Sequence, residues 1–171
     1  MPPFARHVPA VVLAALAVAP AAHADDLRRT HVWTQAKKTG SEPPKLGLQH
    51  RDPERRSMSF ERLILVCRKG GGVEITAWPV DRRAKDPEPG IPANLITDLQ
   101  YHPMPGWRVS YNDIDDVSEV SVVSPDLGVV KDMLGATSIR YGVQGVSMAL
   151  PTASAAVRGF LGDCARWSGG R

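Results

Sequence analysis

Cysteine is scarce in this chain. Its 171 residues include two, Cys67 and Cys164, and no C-x-x-C pair, so dithiol redox catalysis has no support. Histidine is scarce too. Past residue 24 only His31, His50 and His102 remain. Glu54 and Asp98 stand four residues from His50 and His102, but neither pair lies in a helical pattern, so a metal site would have to assemble from distant loops. Aromatic residues make up 6% and do not interleave with the basic residues, which removes the stacking platform used to hold nucleic acid. Beyond the first 24 residues no apolar run approaches the roughly 20 residues of a membrane-spanning helix.

The common catalytic patterns are missing as well. Gly145-Val146-Ser147-Met148-Ala149 falls one residue short of G-x-S-x-G, and Ser147 stands in an alternating strand pattern instead of a strand-to-helix turn. Gly70-Gly71-Gly72, after Arg68-Lys69, lacks the P-loop pattern and opens no helix. Asp113-Ile114-Asp115-Asp116 has carboxylates for a hard cation, but Ser124 stands where an EF-hand loop needs its last acid. Asp98 and Glu119 are candidates for a glycosidase-type pair, and nothing in the sequence brings them together. No catalytic, cofactor-binding or metal-binding residue is nominated, and no cofactor is expected.

What is present begins with an export leader. Arg6 is the one firmly charged residue before Asp25. An apolar stretch, Val8 to Ala19, is long enough for a signal h-region and too short for a hydrocarbon core of ~30 Å. Ala22-His23-Ala24 supplies the small-x-small pattern before a cut, and Asp25-Asp26 follows. Residues 1–24 are therefore read as a signal peptide; an uncut anchor is the alternative. The expected location is the periplasm or the exterior, with no membrane span in the mature chain. In that oxidising setting the even pair Cys67 and Cys164 reads as a disulfide, with two separately buried thiols as the alternative.

Charge is uneven. Residues 27–85 hold fourteen Lys/Arg against six Asp/Glu, whereas residues 86–171 hold six against ten. The basic half suits an anionic surface, such as lipid headgroups or an acidic protein, or else is a solvated face. Arg51, Arg55, Arg56, Arg82 and Arg83 are the candidate interaction residues. Nucleic acid is not expected as a partner.

Residues 25–58 are polar and poorly patterned, with one short strand suggested at 31–35; the segment is expected to wrap the domain or to stay partly mobile. The domain proper is placed at 59–168, with a tail at 169–171. Leu63-Ile64-Leu65-Val66-Cys67 is an apolar run suited to a central strand. Gly70-Gly71-Gly72 turns it into an alternating partner at Val73, Ile75 and Ala77. Asp81 to Pro92 is a Pro-rich loop. Strands are expected around Leu95–Tyr101, Trp107–Tyr111 and Val120–Val122, with a turn at His102-Pro103-Met104-Pro105-Gly106. Ser124-Pro125-Asp126 predicts a helix start with Ser124 as N-cap, followed by Leu127, Val130 and Leu134 on one face. Two more strands, Ser138–Val143 and Val146–Leu150, precede a helix starting near Pro151-Thr152 that lines up Ala156, Val157, Phe160, Leu161 and Cys164. Trp78 and Trp107 belong to strands; for Trp33 and Trp167, near the termini, the core is the preferred reading and an exposed anchor the alternative. The fold class is α+β: an antiparallel sheet with a short helix and a C-terminal helix on one face, a small β-sandwich being the alternative.

The run Leu63–Cys67 with its Gly-rich turn and alternating strand, Trp107, Leu134-Gly135-Ala136, Ser138-Ile139-Arg140-Tyr141 and the closing Phe160…Cys164 together resemble a group of small exported proteins of Gram-negative bacteria. Some of that group are accessory proteins of type VI secretion clusters. The resemblance spans roughly residues 57–167. Those proteins place an Arg before the first cysteine, whereas here Arg68 follows it. The resemblance implies a secreted β-rich domain with paired cysteines and no known catalytic residue. The expected function is thus an exported binding or accessory protein with an envelope or secretion-system partner. The alternative is an inhibitor of a cell-envelope enzyme such as a wall-lytic hydrolase, inserting the loop His102–Gly106, or such an enzyme itself.

Overall fold

The structure, a computed structural model, describes residues 25–36, 41–52, 54, 62–78, 93–104, 106, 108–112, 117–141 and 146–169. Residues 1–24, Arg55, Arg56, Arg82, Arg83, Trp107 and the acidic run 113–116 lie outside the described residues. In chain order the elements are β1 (Asp25–Asp26), β2 (His31–Gln35), β3 (Lys45–His50), β4 (Leu63–Cys67), β5 (Val73–Ala77), β6 (Ala93–Thr97), β7 (Tyr101–Met104), β8 (Arg108–Asn112), β9 (Val117–Ser124), α1 (Leu127–Gly135), β10 (Ser138–Tyr141), β11 (Val146–Ala149) and α2 (Ala155–Gly169).

The class is α+β. The strands divide between two sheets. The larger runs β2-β3-β4-β5-β9-β8 and is antiparallel throughout; the smaller runs β1-β11-β10-β6-β7, with only the two-residue β1 parallel to its neighbour. Period-2 alternation decides which face each strand buries but not which strand it pairs with. That is why the chain after β5 leaves the large sheet for the β6–β7 hairpin, an excursion invisible in the local pattern. Segment 25–58 holds the first three strands, β1 entering the small sheet and β2 and β3 the large one.

The centre of the large sheet follows the apolar alternation. Leu63, Leu65 and Cys67 on β4 face the core opposite Ala77, Ile75 and Val73 on β5. Arg68 N–H donates to the Gly72 carbonyl at 3.1 Å, and Gly70, Gly71 and Gly72 all take positive φ to close the hairpin. Helix α2 lies over β2, β3 and β4, burying Val157, Phe160 and Cys164; α1 packs beside it and against β9. The Cys67–Cys164 disulfide joins β4 to α2 across this layer. Trp33 is in the core, not an exposed anchor: its indole Nε1–H donates to the Pro151 carbonyl at 3.0 Å, so the ring is both buried and satisfied. Leu95, Met104, Ile139 and Met148 bring the small sheet into the same hydrophobic cluster.

Two local expectations need correction. Residues Tyr101–Met104 form a strand, not a turn. The turn of this hairpin is Asp98–Gln100, held by Thr97, whose hydroxyl accepts from the Leu99 and Gln100 N–H groups at 3.1 and 2.8 Å and donates to the Gln100 carbonyl. A threonine hydroxyl replaces the Gly or Pro signal on which the reading relied. Pro103 is tolerated because β7 is an edge strand. At α1 the N-cap is Asp126, whose Oδ1 accepts from the Gly128 and Val129 N–H groups at 2.6 and 3.2 Å. Ser124 ends β9 instead and donates to the Asp126 carbonyl, which braces the approach to the helix. Helix α2 begins at Ala155, a few residues after the expected start.

Candidate site on the outer face of the small sheet

Strands β7, β6, β10 and β11 lie side by side, and their register lines up one outward row. Tyr101 faces Ile96, Ile96 faces Arg140, and Arg140 faces Ser147. These positions alternate with Leu95, His102, Ile139 and Met148, which point into the core, so the row faces away from it. Large apolar side chains concentrate here. Tyr101 is 57% exposed, Leu99 at the hairpin tip 61% and Ile96 36%. The only other exposed large hydrophobic among the described residues is Val123, on the other sheet.

Beside this row lies an open cleft of about 290 Å³, lined by Ile96, Thr97, Asp98, Ser138, Ile139, Arg140 and Ser147. The Asp98 carboxylate closes one end. It accepts from the Thr137 amide at 3.0 Å, the Thr137 hydroxyl at 2.9 Å and the Ser138 amide at 3.4 Å. Partial desolvation pushes the Asp98 pKa up, but the Thr137 hydroxyl and the backbone amides outweigh it and hold the group below the ordinary carboxylate value. Arg140 is different. Among the described residues, no group makes an ion pair or hydrogen bond with its guanidinium. The cleft thus combines one engaged anion, one uncommitted cation, two serines and an apolar wall.

A second, smaller cleft of about 150 Å³ is lined by Arg68, Glu74, Gly106, Arg108, Ser121, Val122 and Val123. Its Arg68 is already paired with Glu74, so less of its charge is available.

Of the basic residues nominated from sequence, Arg51 is the one that falls among the described residues. Arg51 is exposed at the end of β3, where its backbone N–H bonds the Thr30 carbonyl. Other members of the basic half are engaged within the protein: Arg28 with Asp26, Arg68 with Glu74, and Lys69 over the Trp167 ring at 5.6 Å. Asp98 lies in the β6–β7 turn beside the small sheet, whereas Glu119 is on β9 of the large one, and Ser147 lies mid-strand in β11.

The histidines are more ordered than the sequence suggested. His31 and His50 are cross-strand partners with rings edge to face, centroids 5.3 Å apart. Thr30 Oγ1 lies 2.8 Å from His31 Nδ1, and the Asp52 amide donates to His50 Nδ1. His102, at 9% exposure, faces α1, with Nε2 3.4 Å from Asp132 Oδ2 but off the direction of a hydrogen bond. Among the described residues no group of three His, Cys, Asp or Glu side chains could hold a metal ion. None of their helices is long and apolar enough to cross a membrane, which says nothing of strands. The disulfide fits an oxidising compartment, extracellular or periplasmic.

The sequence reading missed the outer face because it depends on four strands being adjacent. The exposed Leu99-x-Tyr101 at a hairpin tip was the one local signal. Comparison with family models, with curated proteins and with solved structures gave no match.

Proposed function

We propose that the protein is an exported binding or accessory domain of the cell envelope, periplasmic once residues 1–24 are removed, and that it holds its partner on the outer face of the small sheet. The observation that carries this reading is the concentration of exposed Ile96, Leu99 and Tyr101 beside Arg140, which is unpaired among the described residues. Apolar patches rimmed by charge are the usual form of an interaction site. The leader pattern and the buried disulfide support the compartment. The partner proposed is an envelope protein, with a secretion-system component as the specific candidate from the resemblance in sequence pattern.

The test is crosslinking in the native periplasm with the tagged protein and its variants. A partner captured at near-equal abundance, lost with Leu99→Ser and Tyr101→Ala and retained with Arg51→Glu, supports this face. Loss with Arg51→Glu alone moves the site to the basic segment.

The hairpin tip also favours a second reading, inhibition of a wall-lytic enzyme. The projecting residue would be Leu99, because His102 and Met104 point inward and are buried. Inhibition of lysozyme-type hydrolysis by the protein, abolished by Leu99→Ser, would establish it.

A further inference from the structure

The geometry points to a carboxylate as the group recognised in the cleft: Arg140 binds a singly charged carboxylate while Ile96 and Tyr101 hold an adjoining apolar or aromatic body. This rests on the outer-face reading above and adds the chemistry of the occupant.

The argument starts from charge. An arginine on a sheet face ordinarily finds a carboxylate on a neighbouring strand, because cross-strand and diagonal positions lie within reach of long side chains. Asp98 is the acid within this cleft, yet its oxygens take two amides and a hydroxyl from Thr137 and Ser138. No acceptor among the described residues takes the donors of the guanidinium. A planar fork of N–H donors matches a carboxylate in two parallel hydrogen bonds. The cleft holds one cation against one anion, so a monoanion fits better than a phosphate dianion, which Asp98 would repel.

The apolar half follows from the register. Arg140 is directly opposite Ile96, and Ile96 directly opposite Tyr101, so the body of a ligand anchored at Arg140 lies along an apolar and then an aromatic surface. On the other side Ser147 faces Arg140, and Ser138 flanks the Asp98 end; their hydroxyls can donate to a carboxylate oxygen or accept from a ligand N–H. The volume of about 290 Å³ equals roughly ten water molecules, enough for one residue-sized group. Two sources offer this chemistry: a free small carboxylic acid, or the C-terminal residue of a protein chain.

The experiment is an amide-resolved NMR titration of ¹⁵N-labelled protein, produced from the full sequence in an export-competent host. The probes are N-acetyl-phenylalanine and its neutral amide. Binding of the acid is expected to shift Ile96, Ser138, Arg140 and Ser147, with the amide about tenfold weaker or more. Arg140→Gln should bring the acid down to the level of the amide. Arg140→Lys should fall between, because it keeps the charge and loses the fork. Arg108→Gln, outside the cleft, should change nothing. Equal binding of acid and amide, unchanged binding in Arg140→Gln, shifts confined to other surfaces, or no shifts at all would each overturn the carboxylate assignment. A second pair of probes, Gly-Gly-Gly-Phe with a free and with an amidated C-terminus, separates the sources. Tighter binding of the free tetrapeptide than of the small acid assigns a chain end, and equal binding assigns the small acid. The two proposals also fail separately. Partner capture lost with Leu99→Ser but kept with Arg140→Gln would leave the face standing and remove the carboxylate.

Discussion

Gly72 has a φ of +83°, and a Cβ there would lie 2.6 Å from the Ser124 carbonyl oxygen on β9. Gly70 has the same φ but faces open space. Alanine at either position takes on left-handed strain of about 1–3 kcal/mol. Only at Gly72 does it also push against backbone that is tied into the β5–β9 ladder. Gly72→Ala should therefore lower the urea midpoint clearly more than Gly70→Ala, and equal losses would show that β9 gives way freely. The turn was legible from three consecutive glycines; the approach of β9 was not, because it links residues some fifty positions apart. Asp26 illustrates a charge effect at the same scale. Its side-chain hydrogen bonds to Arg28, at 2.8 and 2.9 Å, hold its pKa at about 2, against an ordinary value of 3.8. A carboxylate whose pKa is lower in the folded chain adds stability above its unfolded value and loses it as pH falls through the folded value. The difference in urea midpoint between the wild type and Asp26→Asn should thus be present at pH 6, shrink below about pH 4 and vanish near pH 2. A constant difference across that range would mean that the ion pair does not contribute.

At the scale of elements, α2 separates two glycines that look alike in sequence. A Cβ on Gly162 would meet only the Arg166 side chain, at 3.7 Å. Gly162→Ala should stabilise the protein by about 0.5–1 kcal/mol through helix propensity. A Cβ on Gly159 would come within 2.5 Å of Gln35 Oε1. Gln35 must then swing away, breaking its hydrogen bond to Asp163 at 2.7 Å, one of the ties between β2 and α2. Gly159→Ala should consequently show little or no rise in Tm, and a rise matching that of Gly162→Ala would show that the tie is dispensable. The amphipathic face of α2 was readable from the spacing of Val157, Phe160 and Cys164. The reason for a glycine at 159 was not, since Gln35 lies over a hundred residues away. The β6–β7 hairpin makes the same point: its apolar alternation signalled strands, but its Thr97-based turn has no Gly or Pro to mark it.

For the molecule as a whole, the disulfide spans 97 positions of chain. Closing a loop of that length can stabilise a fold by up to about 4.7 kcal/mol, by restricting the unfolded chain. Both cysteines are buried, Cys67 1% and Cys164 0% exposed, so a reductant must wait for α2 to lift from β4. Reduction by dithiothreitol without denaturant should therefore be slow and accelerate in step with unfolding as urea is added. Fast reduction of the native protein would mean that α2 opens independently of the rest. The double variant Cys67→Ala/Cys164→Ala should lose about 2–5 kcal/mol in urea titrations.

The sequence by itself determined the α+β class, the central β4–β5 hairpin, the pairing of two cysteines and the apolar faces of both helices. All of these rest on local periodicity, turn chemistry or a count of two, which need no knowledge of distant neighbours. Only the tertiary structure decided that the strands form two sheets, that the Trp33 indole meets the Pro151 carbonyl, and that Ile96, Tyr101, Arg140 and Ser147 make one outward row. Those outcomes depend on which strands lie side by side. Strand adjacency is set by burial summed over the whole core, not by any stretch of a few residues.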